Sequence, residues 1–210
     1  MPMSKIERDF TGKDIFASYS TMDNALIVSN SEKQTASFTE MLKAASVRQV
    51  AVLQSCNEVR RHLLERDFDL VLINSPLQDE SGESLARHIV SKGASQVILA
   101  VKSEHFDAVS AGCENDGVLT ISKPVNKSVF WSALMLAKSA WSRIRHFEYE
   151  NERLKQTIED IRIVDKAKWI LVSRLKLSEE DAHRLIEKQA MNTRSTRRLI
   201  AEGILKTYGN

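Results

Sequence analysis

Residues 158–190 read IEDIRIVDKAKWILVSRLKLSEEDAHRLIEKQA, and they contain two successive helical patterns. In the first, apolar residues from Ile158 to Leu171 recur at intervals of three and four, which is the spacing of one helix face. Ser178 offers an N-cap for a second helix, and the acidic residues after it occupy the first turn, where the helix dipole favours them. The second pattern has its own apolar stripe from Ala182 to Ala190.

A third helix is predicted after Thr193–Thr196, because Leu199, Ile200 and Ile204 again share one face. Three such helices can cover one another's apolar sides. Residues 158–210 therefore predict a small three-helix unit. We expect its basic residues to lie on the outside: Lys166, Lys168, Arg174, Arg184, Lys188, Arg194, Arg197 and Arg198.

The charge of the chain is distributed unevenly. The net charge is +2, but residues 160–210 hold eleven Lys and Arg against seven Asp and Glu, a net +4, which leaves −2 for residues 1–159. A basic C-terminal segment on a slightly acidic body favours a polyanionic partner for that segment.

The same segment resembles the ANTAR domain, the three-helix RNA-binding module of bacterial transcription antiterminators. The family's motifs are matched in order by Ala167–Leu171, Glu180–Ile186, Gln189–Ala190 and Ala201–Ile204. Trp169 departs from the pattern, since Gly is usual at that position. The resemblance implies that a dimer binds two closely spaced hairpin loops in leader RNA and holds them as an antiterminator.

Placement of the polar residues predicts which of them contact RNA. Arginines cluster at the start of the third helix, where backbone N–H groups also favour phosphate. Trp169 and Tyr208 are candidates for stacking on unpaired bases, although we expect Trp169 to be a core residue. The predicted phosphate contacts are Lys168, Arg174, Lys188, Arg194, Arg197 and Arg198, and Gln189, Ser195 and Thr196 are placed nearer the loop bases.

Two other functions compete with RNA binding. The turn Lys176–Ser178 is compatible with a helix-turn-helix of a DNA-binding response regulator. The segment is also compatible with a protein-interaction adaptor. An enzyme is not expected, because the sequence shows no nucleophile–base pair and no Gly-rich phosphate loop.

The front half alternates short β-branched runs with helical patterns. Runs at 25–28, 50–53, 70–73, 97–101 and 117–121 read as buried parallel strands. Five βα units with short connections predict a doubly wound α/β domain. The sequence therefore predicts four parts: an N-terminal arm (1–22), the α/β domain (23–139), a coiled-coil linker (140–157) and the three-helix domain (158–210).

Residues 23–139 resemble the receiver domain of two-component response regulators. DLVLINSPLQDESGESL (69–85) matches the third strand and its loop, and ISKPV (121–125) matches the Lys-Pro after strand five. The family's functional residues are replaced, however. Asn74 stands for the phosphoacceptor Asp, Ser29 and Asn30 stand for the two Mg²⁺-binding acids, and Val101 stands for the Thr or Ser after strand four.

These replacements predict a receiver fold without phosphoryl chemistry. Mg²⁺ needs carboxylates, and an Asn amide is not the nucleophile that forms an acyl phosphate. The family's Lys is retained as Lys123, which we expect to be a surface residue beside Pro124. Asp79 and Glu80 are expected in a solvated turn. A small molecule or a partner protein on this pseudoreceiver then replaces phosphorylation as the signal.

A heptad seam lies between the two halves. From Ala133 to Ile161, apolar residues recur at alternating steps of four and three along one helix of about 60 Å. Up to about Ala140 the seam fits the fifth receiver helix packing on its sheet. Beyond that the sequence favours a parallel homodimer through Ile144, Phe147, Asn151, Leu154, Ile158 and Ile161.

Bulk composition favours a cytoplasmic protein with no membrane span, since no apolar run is long enough and the N-terminus lacks an apolar signal core. Cys56 and Cys113 are too few for a zinc site and are expected to be buried free thiols. No cofactor and no metal are predicted.

Overall fold

The computed structural model describes residues 21–93 and 95–209. The chain divides into two compact units, residues 1–145 and 146–210. Most of the predicted N-terminal arm, residues 1–20, lies outside the described residues. Met22, with which that arm was predicted to end, is buried in the core of the first unit.

The first unit is built on a five-stranded parallel sheet with the order β2-β1-β3-β4-β5. After β2, which is an edge strand, the chain crosses back past β1 to β3, and this reversal makes the sheet doubly wound, as the sequence predicts. One predicted strand was misplaced: Gly117 has a positive φ of 78° and sits in a turn, so the last strand begins later. The strands are β1 Asn24–Val28, β2 Gln49–Leu53, β3 Leu70–Asn74, β4 Gln96–Lys102 and β5 Leu119–Lys123.

Helices cover both faces of this sheet. They are α1 Glu32–Ala44, α2 Cys56–His62, α3 Glu83–Ser91, α4 Phe106–Cys113 and the first part of α5, which spans Lys127–Leu175. Alternate residues of each buried strand point to opposite faces. Ala25 and Ile27 pack with α1 and α5, whereas Leu26 and Val28 pack with α2, α3 and α4.

The long helix α5 has 49 residues and therefore spans about 70 Å at about 1.5 Å per residue. Its first turns belong to the core of the first unit, where Phe130, Leu134 and Trp141 are buried. The boundary between the two units falls within this helix.

The second unit contains the rest of α5, α6 Glu179–Thr193 and α7 Arg197–Tyr208. The three helices enclose a small apolar core, as predicted. Its buried members are Ala167, Leu171, Ala182, Ile186, Ala201 and Ile204. Among the helices of the described residues, none combines the length and the apolar character that crossing a membrane requires.

Candidate nucleic-acid interface

The turns of the second unit are fixed by local side-chain hydrogen bonds. Ser178 Oγ accepts from the backbone N–H of Asp181 at 3.1 Å and caps α6. Thr196 Oγ1 accepts from the backbone N–H of Leu199 at 3.3 Å and caps α7. Arg194 ends α6 in the left-handed conformation, with φ 51°. These bonds satisfy helix-end donors and make the Arg194–Thr196 turn a defined loop.

The predicted phosphate contacts separate into two groups. Lys188 and Arg194 are exposed, and neither forms an ion pair with any described residue. Arg174 is also exposed. The other three cations, at positions 168, 197 and 198, are held by acids of the same unit. These acidic partners were not predicted from the sequence.

Lys168 is less exposed than the sequence suggested. Its ammonium group lies 2.8 Å from Asp165 Oδ1 and 3.5 Å from Glu179 Oε1, and only about a fifth of its side chain is exposed. The hydrogen bond to Asp165 is the main cause that raises the pKa of Lys168. Lys168 therefore joins α5 to the start of α6 as well as adding positive charge.

Arg198 is likewise engaged at two points. Its Nη1 donates to Asp160 Oδ1 at 2.7 Å and its Nε donates to Glu202 Oε1 at 2.8 Å. These hydrogen bonds raise the pKa of Arg198, and the bond from Arg198 is the main cause that lowers the pKa of Asp160. Arg197 is held more loosely, with Nη1 3.3 Å from Glu187 Oε1. Arg198 therefore fastens α7 to α5, and Arg197 is the more available cation.

The three residues predicted near the loop bases lie at the end of α6 and the start of α7. Gln189 is exposed on the last turns of α6, and its backbone carbonyl accepts a hydrogen bond from the hydroxyl of Thr193. Ser195 is half-buried and its backbone N–H donates to the Ala190 carbonyl at 2.9 Å, whereas Thr196 is exposed.

A groove of about 800 Å³ lies between α5, α6 and the start of α7. We call it the interhelical groove. Its lining comes entirely from the second unit: Thr157, Asp160, Ile161, Val164, Asp165, Lys168, His183, Glu187, Ala190, Met191, Ser195, Thr196, Arg197 and Arg198. Five of the predicted RNA contacts, at positions 168, 195, 196, 197 and 198, line this groove.

The prediction for Trp169 was wrong. Its side chain is 71% exposed, because it lies about 200° around the helix from both Ala167 and Leu171, which face the core. An exposed Trp at the position where the ANTAR pattern has Gly offers a flat apolar surface to solvent. Met191 is similarly exposed, at 79%, and was not among the predicted site residues.

The predicted dimerisation residues are exposed along α5. Phe147, Leu154, Ile158 and Ile161 are between 51% and 65% exposed. Asn151 is exposed between them. Ile144 lies at the end of the first unit and is the least exposed of the five apolar residues, at 37%.

The degenerate phosphoacceptor pocket of the first unit forms a hydrogen-bonded cluster. Asn74 at the end of β3 is buried, and its Nδ2 donates to the buried Ser29 Oγ at 3.0 Å. The Oδ1 of Asn74 is buried without a hydrogen-bond partner among the described residues. Val101 is also buried, whereas Asn30 is exposed. Neutral side chains therefore occupy the position of the receiver's acids.

Lys123 differs from the expected surface residue. Its side chain reaches across the ends of the strands and donates to the carbonyl of Ser75. Burial is the main cause that lowers the pKa of Lys123, and the charge of Lys102 adds to it. The retained Lys is thus bound to backbone and partly shielded from solvent.

The loop after β3 is also more than a solvated turn. Asp79 accepts from the backbone N–H groups of Cys56 at 3.1 Å and Asn57 at 3.0 Å, at the start of α2. Burial opposes ionisation of Asp79, but these hydrogen bonds outweigh it and lower its pKa. Glu80 forms a two-point ion pair with Arg60, which is the main cause that lowers the pKa of Glu80.

The two cysteines are free and buried, as predicted. Cys56 has its Sγ close to the carboxylates of Asp79 and Glu80, the one grouping of possible metal ligands among the described residues. Burial is the main cause that raises the pKa of Cys56 to about 12, and the charges of Glu80 and Asp79 add to it. A neutral thiol beside two engaged carboxylates is a poor metal-binding set.

Comparison with known proteins matches both units. Residues 152–205 match the ANTAR domain family. The chain is 28% identical over 141 residues to the "Transcriptional regulatory protein PdtaR" of Mycobacterium tuberculosis, in strains CDC 1551 and H37Rv. That alignment covers 67% of this chain and 69% of the relative.

Solved structures match the first unit. A CheY-like receiver domain protein from Methanospirillum hungatei JF-1 has a TM-score of 0.50 at 19% identity and covers 59% of this chain and 98% of its own. The signal receiver domain of an HD domain-containing protein from Pseudomonas fluorescens Pf-5 has a TM-score of 0.51 at 21% identity, with 62% and 94% covered. At these identities the likeness shows the fold alone.

The class of the protein follows from the two matches together. A receiver fold precedes a segment that matches the ANTAR domain family, and together with the similarity to a transcriptional regulatory protein these matches support an ANTAR response regulator with a receiver-like domain. Receiver and ANTAR families are regulatory rather than enzymatic.

Proposed function

We propose that the protein binds leader RNA and prevents transcription termination by stabilising an antiterminator made of two hairpin loops. The observation that carries this proposal is the pair of unengaged cations, Lys188 and Arg194, beside the defined Arg194–Thr196 turn of an ANTAR domain. Phosphate groups need such cations and exposed backbone donors. Such a regulator acts where RNA is transcribed, which in a bacterium is the cytoplasm.

The contacts we propose for RNA follow from the ion pairs. Lys188 and Arg194 bind phosphate directly, and Arg174 and Arg197 extend this surface. Arg198 and Lys168 are held by acids, so they contribute mainly to the electrostatic potential of the surface and to the stability of the fold. Gln189, Ser195 and Thr196 lie beside these cations and face the loop bases.

We further propose that the protein acts as a parallel homodimer. Four large apolar side chains between positions 147 and 161 are more than half exposed along α5. Exposed apolar residues at heptad spacing are typical of a helix that pairs with a second helix, and Asn151 within the stripe favours one register. A dimer presents two ANTAR domains, which matches a target with two hairpin loops. We also propose that the receiver-like domain ends at residue 139, that the coiled-coil linker spans residues 140–157, and that the ANTAR domain begins at residue 158.

The receiver-like domain is proposed to respond to a signal other than aspartyl phosphorylation. Asn74 is neutral and hydrogen-bonded to Ser29, and Lys123 is bound to the Ser75 carbonyl. None of these groups can form an acyl phosphate or offer Mg²⁺ a carboxylate. A small molecule or a partner protein then supplies the signal.

Competition binding tests the proposed function. A pool of RNAs with two stem–loops and randomised loop sequences is compared with single-hairpin RNAs and with duplex DNA of the same sequences. The two-hairpin pool should yield the tightest binders, because a dimer on a linked target gains effective concentration. Preference for duplex DNA would favour a DNA-binding regulator. Binding to neither RNA nor DNA would favour a protein-interaction adaptor.

Substitutions divide the surface further. Lys188→Ala and Arg194→Ala should each weaken RNA binding. For contacts to single-stranded RNA, each should also reduce the slope of log K against log salt concentration by about 0.7. Gln189→Ala should mainly relax the preference among loop sequences. Arg184→Ala is a matched control, because Arg184 is paired with Glu180 on α6 and does not line the interhelical groove.

A further inference from the structure

The interhelical groove is electrically balanced. Its lining contains three cations, Lys168, Arg197 and Arg198, and three acids, Asp160, Asp165 and Glu187. Each cation is paired with an acid of the lining, at distances from 2.7 to 3.3 Å. A run of phosphate groups would have to displace these pairs. An uncharged polar ligand would not.

Two of the carboxylates leave an oxygen for such a ligand. Oε1 of Glu187 faces both His183 Nε2 and Arg197 Nη1, each at 3.3 Å. Oδ1 of Asp160 accepts from Arg198 at 2.7 Å and from Gln156 at 2.9 Å. The second oxygen of each has no hydrogen bond from the described part of the chain. These oxygens are acceptors for N–H donors on a ligand.

The groove also has apolar walls. Met191 is 79% exposed and Ile161 is 56% exposed, and both line it together with Val164 and the buried Ala190. A thioether is polarisable and adapts to flat surfaces. A ligand that fits this lining is planar and uncharged, with apolar faces and N–H donors at its edge.

We propose that the interhelical groove binds one unpaired nucleobase of the RNA loop. The base lies against Met191 and Val164, and its N–H donors reach the carboxylates of Glu187 and Asp160. The phosphates of the same loop lie outside the groove, on Lys188 and Arg194, the immediate sequence neighbours of the lining residues Glu187 and Ser195. This inference rests on the proposed RNA binding and assigns the recognition of one loop base to the groove.

The proposal separates two kinds of contact. Lys188 and Arg194 outside the groove set affinity and salt dependence, because they bind phosphate. Met191 and Glu187 inside the groove add to the choice of loop sequence, because they touch a base. Met191→Ala, which alters no charge, should therefore change binding without changing the salt slope.

A double-mutant cycle between protein and RNA tests the site. The probe is the tightest two-hairpin RNA from the randomised pool, made with a single abasic nucleotide at each loop position in turn, in both hairpins. Met191→Ala should weaken binding of the intact RNA by about tenfold, through lost apolar contact. One of the abasic RNAs lacks the base that the groove binds. Met191→Ala and the parent protein should bind that RNA equally well, because the base and Met191 form one contact.

Two controls keep the result interpretable. Leu199→Ala removes an exposed apolar side chain of α7 that does not line the groove, so it should leave binding of every RNA unchanged. Glu187→Gln should show its coupling at the same loop position as Met191→Ala. Additive effects of both variants at every abasic position would overturn the groove assignment while RNA binding stands. Failure of the parent protein to bind any of the RNAs would overturn the proposed function itself.

Discussion

Replacing Leu154 and Ile158 with Lys should convert the protein into a monomer. In the described structure these side chains are 61% and 51% exposed, and Phe147 and Ile161 are 65% and 56% exposed. Full burial of a large apolar side chain stabilises by about 1.5–3 kcal/mol, so covering the exposed half contributes about 1–1.5 kcal/mol. Four positions on two helices give about 8–12 kcal/mol before the cost of association.

The double substitution removes half of these side chains and places unpaired charges in the seam. We expect a loss of at least about 4 kcal/mol, which raises the dissociation constant of the dimer by about three decades. Sedimentation equilibrium over about two decades of concentration measures this change, with helix content followed by circular dichroism to show that the variant is folded.

The matched control is Glu152→Gln with Glu159→Gln. It adds the same two units of positive charge to α5, but both positions lie about 100° or more around the helix from Leu154 and Ile158. The control should dimerise as the parent does. A parent protein that is monomeric at every concentration, or a Lys variant that dimerises normally, would refute the seam.

Three further predictions concern the first unit. Acetyl phosphate with Mg²⁺ should leave the intact mass of the protein unchanged; a phosphoryl adduct that disappears in Asn74→Ala would contradict the neutral pocket. A thiol reagent at neutral pH should react with neither Cys56 nor Cys113 until the protein is unfolded, because both are buried, and rapid labelling in the native state would show that one is accessible. Asp79→Ala should lower the free energy of unfolding by about 1 kcal/mol, as lost helix caps do. The contribution of Asp79 to stability is present above its ordinary pKa of 3.8 and is lost as pH falls through its lower pKa in the folded protein. The unfolding free energies of parent and variant, measured by urea titration, should therefore converge in acid. An equal difference in unfolding free energy at all pH values would exclude this carboxylate as the cause.

The fold was predictable because its signals are local and repeated. Buried parallel strands read as short β-branched runs, and each core helix has an apolar stripe that repeats every three or four residues. The pairing of Asn74 with Ser29 was also foreseeable, since both stand at positions that a receiver brings together at the carboxyl ends of neighbouring strands. The start of β5 was misplaced because the left-handed turn at Gly117 precedes an apolar pair that reads as strand.

The chemistry of the site was less predictable because it depends on contacts between distant residues. Asp160 and Arg198 are 38 positions apart, so no spacing pattern reveals that the arginine is engaged. Asp79 caps a helix that begins 23 residues earlier in the chain. Trp169 is different, because its position opposite Ala167 and Leu171 on the helix was already a signal that it faces solvent.

The central claim is that the protein recognises paired RNA hairpin loops, and sequencing the RNA that co-purifies with the full chain tests it most directly. The matched control is the Lys188→Ala, Arg194→Ala double variant, which keeps the fold and the groove but lacks the two unengaged cations. We predict that RNA from the parent protein is enriched, relative to this control, in leader segments with two closely spaced hairpins ahead of a terminator. Equal recovery of RNA from the parent and the control, or recovery without any shared paired-hairpin element, would contradict the account.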